Sequence, residues 1–566
     1  MEEPTLLLDA DLADQYRRIY RAQFREDVAA GRKIPFLFHL CLWGLFVFPV
    51  LYLSIPHRRR PWLYRARWLV LAACAAVNLW MVRNFSSANF AFAYGTGLIA
   101  AWGTIWNLTL LVWTRPQWDA KRVERYPNPE YNRDVSQKEN ESGRQATSSS
   151  AAVSTTNGHV TNGHASNGHA SHGCAEIRQR KTQLAGNDAN GSILESKTER
   201  SQFIYKWQEF PEGAPFLTRL DWAFDIATTM RLTGWNWAIH VLPPYRPPPW
   251  IDEENRIQAP LDSLPNRTGQ GFERCRTRRQ FFIERILGSL VPAYLLIDVC
   301  ATVMTQDPYF ILGPNELPLP PGLAEMNPFL LSLRRTSLSF IAVLVALRLA
   351  WDFGAVLLAF LCPPILGFRV DPWHLPSMTG SFTDVLDRGL AGFWGTWWHQ
   401  TFRFGFAAPT NWLIRNGYIR EKSTSAAVVG ALVAFLQSGF IHAMGSYTTL
   451  PKTHWWEPPV FFFLSGVGTQ LQSTVSKAFK PQIDKMPQWV RRAGNFLFVF
   501  VWLHLTCKWL VDDFGRCGLW LWEPVPFSIV RWLGLGLKGD YWWRWTSDDT
   551  FTWITGKHWW TTGFGV

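Results

Sequence analysis

Long apolar runs separated by charged segments constrain this chain more than any other feature. The clearest lie at 34–55, 67–82, 93–114 and 286–305, and later runs lie at 337–367, 424–447, 457–475 and 492–511. A helix needs about 20 apolar residues to cross the hydrocarbon core of a bilayer, and backbone in lipid must satisfy its own hydrogen bonds. We therefore predict an all-α, polytopic transmembrane protein with about eight spans, accompanied by interfacial helices.

The charge distribution suits loops at a membrane surface. The chain has 56 Lys and Arg against 44 Asp and Glu, a net charge of +12, and the basic residues flank the apolar runs. Cytosolic loops of membrane proteins collect such residues, whereas nucleic-acid binding needs a soluble basic face. The 33 tryptophans and 39 phenylalanines also suit the boundary between hydrocarbon and water. We expect the lipid bilayer to be a partner and nucleic acid not to be one.

Shifts in composition divide the chain into five segments. They are a polar N-terminal segment (1–33), a three-span membrane region (34–114), a polar insert (115–204), a membrane core (205–511) and a tryptophan-rich interfacial segment (512–566). The insert repeats NGH and has too few apolar residues to offset the entropy of ordering. We predict that it is cytosolic and disordered, with no catalytic role. The eight cysteines show neither C-x-x-C nor zinc spacing, so no metal site is predicted.

One aromatic stretch, GFWGTWWHQTFRF (392–404), sets polar groups among tryptophans. We predict a helix here, which places Trp394 and Trp398, four residues apart, on one face. His399 and Arg403 are also four apart and would be neighbours on that helix. The stretch suits an aromatic belt at the membrane interface as well as the wall of an active site, and its residues alone leave both open.

A second stretch places a histidine inside an apolar run. The run at 424–447 holds His442 in its second half, with Gln437 and Ser438 shortly before it. An ionisable side chain inside a span marks a functional site by default, but a histidine also bonds neighbouring helices as packing glue. His504 lies in another run with few polar neighbours and serves as a comparison.

Two histidines and an arginine beside a membrane suit acyl transfer to an alcohol. A neutral imidazole removes the proton of a hydroxyl, a second polar group holds the carbonyl oxygen as it gains charge, and arginine binds phosphates such as those of coenzyme A. The chain has no H-x-x-x-x-D, H-x-x-x-D, G-x-S-x-G, H-E-x-x-H or Walker sequence. Soluble acyltransferases, serine hydrolases, zinc proteases and transport ATPases are therefore not favoured.

The two stretches together resemble the wax synthase-like family, which belongs to the membrane-bound O-acyltransferase group. GFWGTWWHQTFR (392–403) is similar to its F-W-G-x-x-W-[HN] segment, and LQSGFIHAMGSY (436–447) to the following span with S-G-x-x-H. MRLTGWNW (230–237) also resembles fungal members. The resemblance covers roughly 205–510 and makes 205–511 an acyltransferase core.

This resemblance implies an integral membrane enzyme of the endoplasmic reticulum that moves an acyl group from acyl-CoA to an alcohol. Acetyl is the acyl group that we expect. Fungal members commonly acetylate hydroxyls of secondary metabolites such as terpenoid alcohols. Plant-type relatives esterify long-chain alcohols and carry Asn where this chain has His399. Thr396 stands where the family often has arginine, and WHLPSM (373–378) replaces a W-P-P-x-F element, which leaves the substrate open.

The resemblance also assigns roles. His442 matches the catalytic histidine and would be the general base, and His399 would orient the acceptor or stabilise the oxyanion. Further candidates are Arg403 and Arg388 for the coenzyme A phosphates, and Trp394, Trp398, Gln437 and Ser438 for substrate contact. No tightly bound cofactor is expected; acyl-CoA is a co-substrate and a lipophilic alcohol the other partner.

Two rival functions remain at this stage. One is a long-chain wax or sterol ester synthase, which differs in the width of its substrate tunnel. The other is a non-catalytic lipid transporter or membrane scaffold. Transporters often show internal repeats with paired broken helices, and no such repeat is visible in this sequence.

Overall fold

Helices form most of the chain that the structure describes. The computed structural model describes residues 12–127, 203–245, 264–451, 453–537 and 539–566. These residues belong to two compact units. The first comprises the chain up to Arg122, Gln208–Tyr245 and Leu264–Val566, and the second Val123–Trp207 and Arg246–Ser263. Most of the predicted insert lies outside the described residues, so its disorder stays a prediction.

The longer helices are numbered in chain order. They are α1 (Leu12–Ala29), α2 (Phe38–Ser54), α3 (Pro61–Asn84), α4 (Phe90–Trp113), α5 (Phe216–Thr228), α6 (Arg278–Met304), α7 (Pro328–Leu361), α8 (Thr383–Arg388), α9 (Arg403–Arg415), α10 (Thr424–Tyr447), α11 (Glu457–Ala478), α12 (Gln488–Thr506) and α13 (Lys508–Arg516). Short helical turns lie at Pro116–Asp119, Pro308–Leu312, Pro321–Ala324, Pro363–Leu366, Gly367–Val370, Pro372–His374, Leu390–Gly392, Phe393–Trp397, Lys480–Ile483, Leu519–Leu521, Ile529–Trp532, Ser547–Asp549 and Trp559–Thr561.

The strands are short and form two-stranded sheets. In the first unit, β1 (Ile34–Pro35) pairs in parallel with β2 (Phe85–Ser86), and β5 (Thr552–Ile554) pairs antiparallel with β6 (Gly563–Gly565). The described part of the second unit lies within the paired strands β3 (Arg122–Pro127) and β4 (Phe203–Gln208). These sheets tie chain segments together, and the helices carry the fold.

Among the residues that the structure describes, five helices are long and apolar enough to cross a membrane, namely α3, α4, α6, α7 and α10. The pair α12 and α13, bent by 41°, would be a sixth span. The prediction of a helix-rich chain with several candidate membrane spans is confirmed, but the count of eight is not. The predicted run at 34–55 forms only the shorter helix α2, and α11 carries serine, threonine and glutamine side chains along its length.

Helix α10 is central to the first unit because α4, α9 and α11 all pack against it. Glycines allow two of these approaches. A Cβ on Gly97 of α4 would lie 1.8 Å from the carbonyl oxygen of Met444, and a Cβ on Gly439 would lie 2.9 Å from Cα of Pro459 on α11. Small residues of this kind let helix backbones come close in membranes. The crossing of α4 and α10 positions the candidate site.

Candidate active site

His442 lies in an aromatic pocket in the second half of α10. Its ring stacks on Phe462 of α11, with ring centres 4.9 Å apart and planes inclined by 22°. The ring of Phe514 on α13 lies 6.3 Å away. The side chain is half-buried, so it lies inside the helix bundle and keeps some accessible surface.

Tyr94 of α4 holds the imidazole of His442. Its hydroxyl oxygen lies 3.1 Å from Nδ1 and 3.2 Å from the carbonyl oxygen of the same residue. The tyrosine ring rests on α10 at Gly445, where a Cβ would come within 2.6 Å of the ring. A hydroxyl has one proton to donate. When it donates to the carbonyl oxygen, Nδ1 must donate to the hydroxyl, and Nε2 is then the unprotonated, basic nitrogen.

A buried carboxylate, that of Asp513, lies near Tyr94. Asp513 of α13 is fully buried and accepts a 3.0 Å hydrogen bond at Oδ1 from Oγ of Ser446. Its other oxygen, Oδ2, has no hydrogen-bond partner. The carboxylate is close enough to Tyr94 to act electrostatically on its hydroxyl. The carboxylate therefore acts on the tyrosine that contacts His442.

His399 lies close to His442, within electrostatic range. Its ring contacts those of Trp398 and Phe402, at 5.4 and 5.7 Å between ring centres. Burial, and then the positive charge of Arg231, lower the pKa of His399 to about 4, so the imidazole is neutral at physiological pH. Its Nδ1 is buried without a hydrogen-bond partner and is therefore available to a bound molecule.

The predicted helix through the aromatic stretch is wrong. Helix α8 ends at Arg388, and Gly389 has a φ of +60° that glycine adopts readily. The following turn ends where Trp398 takes an extended backbone with a ψ of 153°, and α9 begins only at Arg403. His399 therefore lies in the break between two helices, and its side chain reaches the pocket from there.

The tryptophans line the region in different ways. Trp394 lies 6.1 Å from the ring of Phe462, the same ring that stacks on His442. Trp398 stacks on Phe393, with ring centres 5.6 Å apart. The ring of Phe462 thus lies between Trp394 and His442. Both tryptophans are half-buried.

The two polar candidates on α10 differ in their surroundings. Gln437 donates from Nε2 to the carbonyl oxygens of Phe406 on α9 and Val433, both at 3.1 Å. This contact holds α9 to α10. Ser438 is half-buried beside Gly439. The position of Gln437 suits helix packing better than substrate contact.

The predicted arginines lie beside the turn at Gly395. Arg403 donates from Nη1 to the carbonyl oxygen of Gly395 and to Oε1 of Gln400, the latter at 2.5 Å. Arg388 is exposed. Partial burial, and then the charges of Arg403 and Arg388, lower the pKa of His240 to about 4. These basic groups converge on one place, with Arg403 already engaged by the turn.

Three functional candidates escaped the sequence analysis. Tyr94 lies in the apolar run FAYGTG, which carries no polar signal apart from its own hydroxyl. Asp513 had a signal, since two aspartates interrupt the apolar run KWLVDDF and an ionisable residue in such a run marks a functional site. Arg231 lies in MRLTGWNW, where it and the aromatic residues suit a helix at the membrane interface and do not indicate a site. Within the described ranges, no group of three His, Cys, Asp or Glu side chains is arranged to hold a metal ion.

Among known proteins, one family is similar to this chain across both histidine stretches. The model of the membrane bound O-acyl transferase family matches residues 375–464, which include His399 and His442. Acetyltransferase atnC of Arthrinium sp is 25% identical over 372 residues, 62% of this chain and 77% of that protein. Acetyltransferase ple2 of Rhodocybe pseudopiperita is 22% identical over 352 residues, 61% of this chain and 80% of that protein. No solved structure matches.

A shorter match has higher identity. Acetyltransferase spyB of Aspergillus fumigatus is 30% identical over 138 residues, which cover 21% of this chain and 23% of that protein. The match thus spans less than a quarter of that relative. The apolar helices fit an integral membrane protein, and the family match contains His399 and His442 but not Tyr94 or Asp513. Residues 375–464 thus match the membrane bound O-acyl transferase family, and the chain is similar at low identity to fungal acetyltransferases, which together support an acyltransferase enzyme.

Proposed function

We propose that this enzyme transfers an acetyl group from acetyl-CoA to a hydroxyl of a lipophilic small molecule, such as a terpenoid or another secondary metabolite. The observation that carries the proposal is the contact between Tyr94 and His442, of which His442 lies inside the family-matched region. The acetyl donor is supported by the fungal relatives, which are described as acetyltransferases. We place the enzyme in the endoplasmic reticulum membrane, where acyl-CoA from the cytosol meets lipophilic alcohols.

His442 would be the general base. Nε2 takes the proton of the acceptor hydroxyl while the hydroxyl oxygen attacks the thioester carbonyl carbon. The imidazolium that forms keeps its Nδ1 hydrogen bond to Tyr94. When the tetrahedral intermediate collapses, the carbon–sulfur bond breaks and the thiolate of coenzyme A takes the proton back from Nε2. The acetyl group passes directly to the acceptor.

His399 would hold the carbonyl oxygen. The structure leaves its Nδ1 buried without a partner, and a neutral imidazole donates one hydrogen bond. An uncharged donor near the thioester stabilises the oxyanion as it forms. Asn at this position in plant-type relatives would do the same through its amide. This role agrees with a pKa too low for His399 to act as a proton donor in acid catalysis at neutral pH.

Arg388 is the better of the two predicted candidates for the donor phosphates. It is exposed, whereas the guanidinium of Arg403 already binds the turn at Gly395. Trp394 and Trp398 would form the aromatic wall of the acceptor site. Gln437 would act by holding α9 and α10 together.

A donor panel tests the function. Microsomes with the full-length chain are incubated with labelled acetyl-, palmitoyl- or malonyl-CoA and a panel of terpenoid, sterol and long-chain alcohols. We expect acetyl ester to form and His442→Ala to lower its rate by about 10²–10⁴-fold, the usual contribution of a general base. His504→Ala is the matched control, because His504 lies on α12 between the rings of Phe329 and Phe500.

Three outcomes would contradict this proposal. Palmitoyl ester as the main product would support the rival long-chain synthase. Full activity in a membrane-inserted His442→Ala variant would remove the general base. Absence of product with every donor would reject the acyl-CoA donor.

A further inference from the structure

Three arginines are buried close together in the first unit. Arg231, Arg274 and Arg285 are 4%, 3% and 4% exposed. Arg231 lies within electrostatic range of both others. They come from distant parts of the chain, namely the turn after α5, the loop before α6 and the first turns of α6. Folding therefore concentrates three positive charges in the protein interior.

The hydrogen bonds that hold these side chains lead to neutral groups. Arg231 donates from Nη1 and Nη2 to the carbonyl oxygens of Ser377 and Pro376, both at 2.9 Å, and its guanidinium lies 4.1 Å from the ring centre of Trp351. Arg285 donates to the carbonyl oxygen of Glu273 at 3.1 Å. These contacts fix the positions of the guanidinium groups, and none of them is a direct contact with a carboxylate.

Arg274 is the least satisfied of the three. Its Nε and Nη1 are buried without a hydrogen-bond partner. The neighbouring carboxylate of Glu273 faces Arg267 at the surface, with 3.7 Å between Oε1 and Nε. Within the described part of the chain, no carboxylate forms a salt bridge with Arg231, Arg274 or Arg285.

Elsewhere the same protein pairs its buried arginines with acids. Glu523 is buried and forms salt bridges with Arg17, Arg531 and Arg544, at 2.7, 3.0 and 2.8 Å. Such pairing is expected, because an arginine keeps its proton in proteins and an unpaired buried charge is very costly. Burial, and then the charges of Arg285 and Arg274, lower the pKa of Arg231 to about 9, so it too is charged at neutral pH. The missing counter-charge points to an anion from outside the chain.

The cluster lies next to the candidate active site. Arg231 is within electrostatic range of His399. Leu232, which follows it, has a φ of +52° in the left-handed region that leucine rarely adopts. Backbone strain of this kind persists where the surroundings hold a side chain in a functional place. An anion at these arginines would therefore be bound beside the reacting groups.

We propose that Arg231, Arg274 and Arg285 form a phosphate-binding site for the diphosphate of the acyl donor. Guanidinium groups bind phosphate oxygens with two parallel hydrogen bonds, and the free nitrogens of Arg274 supply donors for them. The assignment rests on the proposed acyl-CoA donor. Arg388 and its neighbours would be left to contact the remaining phosphate.

Donors with and without phosphates test the site. The full-length protein in nanodiscs is assayed with acetyl-CoA and with acetyl-pantetheine, which has the same thioester but no phosphate. We expect Arg274→Gln to raise the KM for acetyl-CoA at least tenfold and to leave the kinetics with acetyl-pantetheine unchanged. Arg274→Lys, which keeps the charge, recovers part of the loss. The control Arg267→Gln removes a charge from the same loop at the surface. It should leave the KM values for both donors unchanged.

Binding without turnover separates this inference from the proposed function. Coenzyme A and inorganic pyrophosphate are titrated into wild type and Arg274→Gln by calorimetry, in nanodiscs with and without phosphatidic acid. Loss of coenzyme A binding in the variant supports the site even when no acetyl transfer occurs. Equal binding by both proteins overturns it. Dependence on phosphatidic acid alone, with no competition by coenzyme A, assigns the site to a lipid headgroup and overturns the donor assignment.

Discussion

The hydroxyl oxygen of Tyr94 lies 3.1 Å from Nδ1 and 3.2 Å from the carbonyl oxygen of His442. These two contacts share one proton of tyrosine, so the imidazole must supply the other. The arrangement selects the tautomer in which Nε2 is free to accept a proton. Tyr94 is therefore a positioning residue for the proposed base, and it acts through His442 on the reaction.

Replacing Tyr94 with phenylalanine should impair the chemical step. Tyr94→Phe keeps the ring that rests on Gly445 and removes only the hydroxyl. We expect kcat to fall about 10- to 100-fold, since the imidazole loses the partner that fixes its tautomer, as happens when the orienting partner of a catalytic histidine is lost. The KM for acetyl-CoA should stay within about twofold, because the hydroxyl touches no substrate in the proposed mechanism.

Tyr52→Phe is the matched control for this prediction. The hydroxyl of Tyr52 is also buried and donates to the carbonyl oxygens of Leu63 and Tyr64, both at 3.2 Å. Its removal should affect stability and leave kcat unchanged. A Tyr94→Phe enzyme with wild-type kcat, or with a loss no larger than that of Tyr52→Phe, would show that the contact does not orient the base.

The activity of His399 variants should depend on whether the new side chain can donate a hydrogen bond, and not on its charge. His399→Asn keeps a donor near the proposed oxyanion and should retain at least a tenth of the wild-type kcat. His399→Ala removes the donor, and we expect about 10²–10³-fold loss, as for an oxyanion-hole side chain. The initial rates of acetyl ester formation decide between these outcomes. Equal activity of the two variants would show that His399 does not stabilise the oxyanion.

The low pKa of His399 should make the fold less stable in acid. In the folded protein its pKa is about 4, against 6.5 in the unfolded chain. As pH falls from 6.5 towards 4, the unfolded chain takes up a proton that the folded protein excludes, and the free energy of unfolding decreases. The melting temperature should therefore drop between pH 7 and pH 5, and less steeply in His399→Asn. Burial also lowers the pKa of His57 to about 4, so His57 accounts for part of the pH dependence of the melting temperature that remains in His399→Asn. An identical slope in both proteins would mean that His399 titrates normally.

The sequence was sufficient to predict the membrane character and to single out His399 and His442, whose catalytic roles stay a prediction. Six of the eight predicted runs became candidate spans, counting the bent pair once, because hydropathy and length decide this property locally. The histidines stood out because a polar group in an apolar run is costly. The family match at 375–464 covers both stretches.

What the sequence could not predict depends on contacts between distant segments. Tyr94 and His442 are 348 positions apart, and nothing in either stretch indicates the other. The break before α9 also escaped, since the regular spacing of aromatic residues imitates a helix while Gly389 ends α8. The three buried arginines share no motif and become a cluster only after folding.

The crossing of α4 and α10 should depend on a single glycine. A Cβ on Gly97 would lie 1.8 Å from the carbonyl oxygen of Met444. Neither backbone can yield without moving a helix, so Gly97→Ala should destabilise the protein by about 3 kcal/mol, the upper end for overpacking. The displacement would also move Tyr94, three positions earlier on α4, away from His442. We therefore expect a lower melting temperature together with a fall in kcat.

Gly95→Ala, two positions away, is the control for that substitution. A Cβ at Gly95 meets no heavy atom within 4 Å, and alanine favours a helix over glycine by about 1 kcal/mol. This variant should melt at or slightly above the wild-type temperature and keep its kcat. Thermal unfolding of both variants, followed in detergent by fluorescence, measures the difference. If Gly97→Ala melted as high as Gly95→Ala, the close approach of the two helices would not be needed for the fold.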